Sequence, residues 1–138
     1  MKKYFILIIA LGSFLFIVCE KEAESPLEVD TDIIDWWILH SKTIDDVEQE
    51  IDRCESESYL ILDADERVTN QIGYFDPQFG CSIKGGSGWY TVSGNDVTFD
   101  YVDTNNEIIE TLTYTFELND DKLSLEISNN EVYTYQRK

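Results

Sequence analysis

The chain has 138 residues and a formal net charge of −18, from 28 acidic against 10 basic side chains, with 43% hydrophobic residues and three cysteines. That length allows one domain, and the richness in aromatic and β-branched side chains argues against intrinsic disorder despite the charge. The same charge argues against a nucleic-acid partner, because no basic stripe is present to displace counterions from phosphates, and against electrostatic docking on anionic lipid.

The first element is an address. Met1-Lys2-Lys3 is followed by an apolar or small run from Tyr4 to Val18, then by Cys19 and the polar stretch Glu20 to Pro26. A basic start, an apolar middle and a processing junction make a signal peptide. Fifteen residues at 1.5 Å rise cover about 22 Å, short of the roughly 30 Å hydrocarbon core, so a permanent span is the weaker reading. The arrangement resembles the bacterial lipoprotein signal, in which the cysteine thiol receives a diacylglyceryl group, the preceding peptide is cut, and the new amino terminus is acylated. The resemblance implies a signal peptide over 1–18, lipidation at Cys19 with fatty acyl chains such as palmitate, and an acidic tether over 19–32. It places the protein in the cell envelope, at the outer membrane and with surface exposure as a further option. Two or three acyl chains, at about 0.8 kcal/mol per buried CH₂, give effectively permanent attachment. Val18 stands where such signals usually carry Gly, Ala or Ser; the alternative is a secreted or inner-membrane-tethered protein in which Cys19 merely ends the apolar run.

A domain is expected over 33–138. It has one alanine, Ala64, and nine threonines with many Val, Ile, Tyr and Phe, which is strand chemistry. Ile33 to Ser41 reads as the first strand, holding the chain's one histidine, His40. Thr43 to Cys54 places Ile44, Val47 and Ile51 at helical spacing, with Thr43 as N-cap and Asp45-Asp46 in the first turn, and predicts a short helix or helical turn; an extended acidic loop also fits. Tyr59 to Asp63 and Arg67 to Tyr74 follow as strands. With Cys19 lipidated, Cys54 and Cys81 are left as an even pair in an exported domain and are expected to form a disulfide, worth on the order of 3.5 kcal/mol in the chain-entropy picture. Lys84-Gly85-Gly86-Ser87-Gly88 has the wrong order for a phosphate-binding loop and is followed by strand chemistry, so it reads as a mobile loop.

From Trp89 onward the pattern is a meander. Trp89 to Val92, the alternating Val97, Phe99 and Tyr101, the segment Ile109 to Leu118, the run Leu123, Leu125 and Ile127, and Val132 to Gln136 are separated by short Gly, Asn and Asp turns. Period two with one wet face, repeated about eight times, is enough to close a small antiparallel barrel.

Cys54-Glu55 followed by Tyr59 to Val68, then Cys81, then Gly88-Trp89-Tyr90-Thr91-Val92-Ser93-Gly94-Asn95-Asp96-Val97, together with the Leu112 to Tyr135 meander, resembles the lipocalin-like domain of lipoproteins of the Bacteroidetes. The resemblance implies an all-β, eight-stranded antiparallel barrel, flattened or partly open, and no established ligand or activity. Lipocalins open with Gly-x-Trp at the first strand, the Trp plugging one barrel end; here Asp35-Trp36-Trp37 occupies that place, and either Trp36 or Trp37 is the plug. Asp65-Glu66 replaces the family's usual Asn-Gly or Asp-Gly after the second strand, which implies a less tight turn.

Catalytic signatures are missing. A lone histidine gives no dyad or triad, no nucleophile elbow is present, and His40 reads as a structural residue. Asp30, Asp32 and Asp35, or Asp63, Asp65 and Glu66, offer carboxylates for weak calcium binding but lack the EF-hand spacing, and no metal or cofactor is expected. The aromatic set Trp36, Trp37, Trp89, Tyr101, Tyr114, Phe116 and Tyr133 either fills the core or lines a cavity, filling being the simpler expectation for so small a barrel. The expectation is a non-enzymatic lipid-anchored protein that binds a small apolar ligand. Its rival is an envelope interaction module with a filled barrel, meeting another protein through an acidic exterior or a sheet edge. A ligand binder should show an open-ended apolar cavity of about 300 Å³ or more, and an interaction module an exposed apolar patch.

Overall fold

The computed structural model describes residues 31–138 apart from Asn129; the expected signal peptide, Cys19 and the expected tether as far as Asp30 lie outside the described residues. After a 3₁₀ turn at Thr31–Ile33, nine strands follow: β1 Asp35–Ile44, β2 Val47–Gln49, β3 Tyr59–Leu62, β4 Arg67–Asp76, β5 Gly80–Ser93, β6 Asp96–Val102, β7 Ile108–Asn119, β8 Lys122–Ser128 and β9 Glu131–Arg137. All neighbours pair antiparallel in the order β1-β3-β4-β5-β6-β7-β8-β9, and β9 returns to β1, which closes eight strands into a barrel. The ninth strand, β2, is a short flap paired, among the described residues, only with the end of β1.

The expected helix over Thr43 to Cys54 is not formed. β1 runs on through Thr43 and Ile44 because both pair with β9, at Val132 and Glu131. Asp45 and Asp46 then take left-handed conformations, φ 53° and 61°, and turn the chain directly into β2. Ile44 and Val47, three apart in sequence, are therefore partners across a hairpin and not neighbours on a helix face. A 3₁₀ turn, Glu55–Glu57, follows, started by Asp52, whose Oδ1 accepts the backbone N–H of Cys54 and Glu55.

The Lys84–Gly88 run is also corrected: it lies inside β5, an unbroken strand of 14 residues. The glycines serve close approach. A β-carbon on Gly88 would land on the Asp100 carbonyl oxygen of β6, and one on Gly86 would enter the ring of Tyr101.

Turns repeat one device, an aspartate whose side chain accepts the backbone N–H groups that follow it. Asp63 takes the N–H of Asp65 and Arg67 between β3 and β4. Asp76 takes those of Gln78 and Phe79 between β4 and β5, and Asp103 those of Asn105 and Glu107 between β6 and β7. These donors hold the Asp103 carboxyl below its ordinary pKa.

The inward residues of each strand build one core. Trp37, Leu62, Val68, Tyr90, Val97, Phe99 and Leu123 are all but fully buried, and each contributes roughly 1.5–3 kcal/mol by leaving water. Cys54 is buried and disulfide-bonded to the exposed Cys81, tying the β2–β3 connection to the β4–β5 hairpin.

Candidate functional site

One end of the barrel is plugged. Trp37 is fully buried there and donates its indole N–H to the Ile33 carbonyl at 2.8 Å. The guanidinium of Arg137 lies over the Trp37 ring and donates to the Asp32 carbonyl. Trp36 points outward under Lys138, so of the two candidate plugs the structure selects Trp37.

The other end is open because two seams part. β6 stops at Val102, opposite the middle of β5, so among the described residues Gly80–Ser87 of β5 pairs with β4 alone. β8 reaches only as far as Thr115 of β7, so Ile108–Tyr114 has no partner on that side among the described residues. A void of about 260 Å³ occupies the gap, walled by Lys84, Gly86, Tyr101, Ile109, Glu110 and Leu112 among others. A second void of about 110 Å³ lies deeper, between Leu60, Phe99, Leu125, Ile127, Tyr133 and Tyr135. The two share Asn70, Ile72, Tyr101 and Tyr114 as a common wall.

Four phenols give this cavity its polarity. Burial pushes Tyr101 and Tyr135 well above the ordinary tyrosine range, and neighbouring phenols add to it. Tyr133 is pushed up to about 12 by burial, then by the charge and hydrogen bond of Glu131. Tyr114 is raised by burial and by Glu110. All four are therefore neutral hydrogen-bond donors at neutral pH. Asn70 adds an amide, its Oδ1 accepting the Gly86 N–H at 2.9 Å.

The lipocalin-like domain matches residues 33–125. The chain belongs to the lipocalin-like domain family. Two solved structures share the fold of this lipocalin-like domain. An uncharacterised protein from Bacteroides eggerthii is 15% identical with a TM-score of 0.53, the match covering 76% of this chain and 98% of that one. A lipocalin-like protein from Bacteroides uniformis is 13% identical with a TM-score of 0.55, covering 78% and 99%. No curated protein matches the chain.

Of the aromatic set singled out in the sequence, Tyr101, Tyr114 and Tyr133 line the lipocalin-like cavity, Trp37 and Phe116 are core, and Trp36 and Trp89 face outward. Phe99, Tyr135 and Asn70 were not singled out. The first two lie in phase with Tyr101 and Tyr133 on their strands, which is the signal that finds them. His40 is exposed at a bulge in β1 between Leu39 and Ser41, away from the cavity wall. Asp63 is committed to its turn, and among the described residues no group of three or more His, Cys, Asp or Glu is placed to hold a metal ion.

Proposed function

We propose that this lipocalin-like protein binds a small, largely apolar molecule in the open end of its barrel and performs no catalysis. The observation that carries the reading is the pair of adjoining voids, about 260 and 110 Å³, walled mainly by apolar side chains with a few phenols and one amide, and with Lys84 and Glu110 at the outer void alone. Sites for small molecules have this make-up, apolar with a few placed polar groups, at roughly 300 Å³ and upward. Titration with the neutral fluorophore N-phenyl-1-naphthylamine tests it. One molecule per chain should bind, and Leu112→Trp, which fills the outer void, should abolish binding. No binding by the parent protein overturns the reading.

We propose further that the protein is an envelope lipoprotein held by lipid on Cys19. The reading rests on the basic, apolar and cysteine pattern of 1–19. The described chain enters the barrel at Ile33, beneath the Trp37 plug and at the end opposite the mouth. An intact mass showing acyl chains on a polypeptide that begins at Cys19 is the expected result, and an unmodified thiol there refutes it.

One observation favours interaction with another protein. Phe75, Phe79, Ile83, Ile108 and Ile109 are each at least 60% exposed, and all belong to the mouth ends of β4, β5 and β7 or the hairpin between them. Apolar exposure of that kind marks contact surfaces.

A further inference from the structure

The walls of the cavity and the charge around it bear on what kind of molecule it selects. Phe99, Tyr101, Tyr114, Tyr133 and Tyr135 bring five aromatic rings to the inner void, which no charged side chain lines. Phe99 meets Tyr101 and Tyr114 edge to face, with ring centres 6.2 and 5.6 Å apart and planes turned by 62° in both pairs. Phe99 thus stands at an angle to both neighbours and stacks on neither. Ring faces arranged around a space attract a cation within about 6 Å of their centres, most strongly when the site is dry.

Charge acts in the same direction. The chain carries −18, and a cleft with low-dielectric walls focuses such a field. Glu110 stands at the outer void and the negative charge of Glu131 acts on the Tyr133 phenol. Carboxylates that oppose ionisation of the phenols oppose any anionic ligand for the same reason, and favour a cation. Lys84, exposed on the facing wall, acts against this and should lower the affinity.

Resting on the reading of these voids as the ligand site, we infer that the ligand is a small organic cation, a quaternary or protonated amine. Its charged group sits among the rings of Tyr101, Tyr114, Tyr133 and Tyr135, and Glu110 stands at the entrance.

Calorimetric titration of the purified protein compares tetramethylammonium and choline with 3,3-dimethyl-1-butanol, which has the shape of choline without the charge. Choline should bind at least about tenfold more tightly than the alcohol. Glu110→Gln should weaken choline by about threefold and Lys84→Gln should strengthen it by a similar factor, both positions being exposed and safe for folding. Equal affinity for choline and the alcohol, or choline binding unchanged in both variants, overturns the inference. N-phenyl-1-naphthylamine separates the two levels of failure: if it binds and the cations do not, the charge assignment falls while the cavity stands, and if neither binds, both fall. Binding to phosphatidylcholine vesicles that free choline competes off assigns the cation to a lipid headgroup; choline binding without vesicle binding assigns it to a soluble amine.

Discussion

Arg137 holds its guanidinium 4.9 Å from the ring centre of Trp37, so the last strand of the barrel is clasped over the plug carried by the first. The pair also closes the ladder, since Trp37 and Arg137 are register partners between β1 and β9. Trp37→Ala should cost about 3–5 kcal/mol by emptying a fully buried site. Arg137→Ala should cost about 1–2 kcal/mol, chiefly through the ring contact, because its ion pair with Asp35 is a third exposed and contributes little. Trp36→Ala, one residue away and outward-facing, should cost less than about 1 kcal/mol. Urea denaturation of the three variants checks the order; similar losses at Trp36 and Trp37 would contradict it.

The Cys54–Cys81 disulfide closes a separation of 27 residues. Its loss should remove about 3.5 kcal/mol, which for a domain of this size lowers Tm by about 15 °C or more. Thermal melts of the Cys54→Ser, Cys81→Ser double variant measure this. The same Tm as the parent protein would show that the packing of Cys54 against Gly73 does the work without the bond.

Gly88→Ala should be among the most damaging single changes in the chain, about 3 kcal/mol or more, because the new methyl group meets the Asp100 backbone and β5 cannot retreat without breaking its ladder with β6. Gly94→Ala is the control. Its φ of 60° carries the left-handed penalty of about 1 kcal/mol, but nothing lies within 4 Å of the added carbon. Chemical denaturation should separate the two by about 2 kcal/mol.

These contrasts show where the sequence is legible. The alternation of Leu112, Tyr114, Phe116 and Leu118 reads directly as strand because one face of the sheet is wet and the period of two survives in the residues themselves. The spacing of Ile44, Val47 and Ile51 does not settle a structure, since residues three apart share a helix face or oppose each other across a two-residue turn. The deciding fact, the pairing of Thr43 and Ile44 with β9, is about 90 residues away in sequence. Lys84–Gly88 reads as a loop because glycine has low strand propensity, whereas the packing of Tyr101 and Asp100 makes glycine necessary there. The cavity is illegible for a related reason. Trp36 and Trp37, or Trp89 and Tyr90, differ by one residue and face opposite sides of the sheet, and the gap itself comes from where β6 and β8 stop.

Alkaline pH should unfold the protein in a specific window. The folded-state pKa values of Tyr90, Tyr101, Tyr114, Tyr133 and Tyr135 all lie above the ordinary value near 10, with Tyr133 at about 12. A raised pKa means that the unfolded chain gives up its protons first, so the stability from these groups is fully present below pH 10 and is lost as pH rises from about 10 through 12. Absorbance at 295 nm against pH should show phenols withheld until the fold is lost, with circular dichroism changing in the same range. Full, fold-independent ionisation centred near pH 10 would contradict the burial of these side chains.

The most direct measurement of the central claim, that the open end of the barrel holds a small molecule, is native mass spectrometry of the protein isolated from the cells that make it. The account predicts a polypeptide carrying one small-molecule mass that leaves on collisional activation, and the loss of that mass in Leu112→Trp. The bare polypeptide alone, or a co-purifying protein with no small molecule, would contradict it.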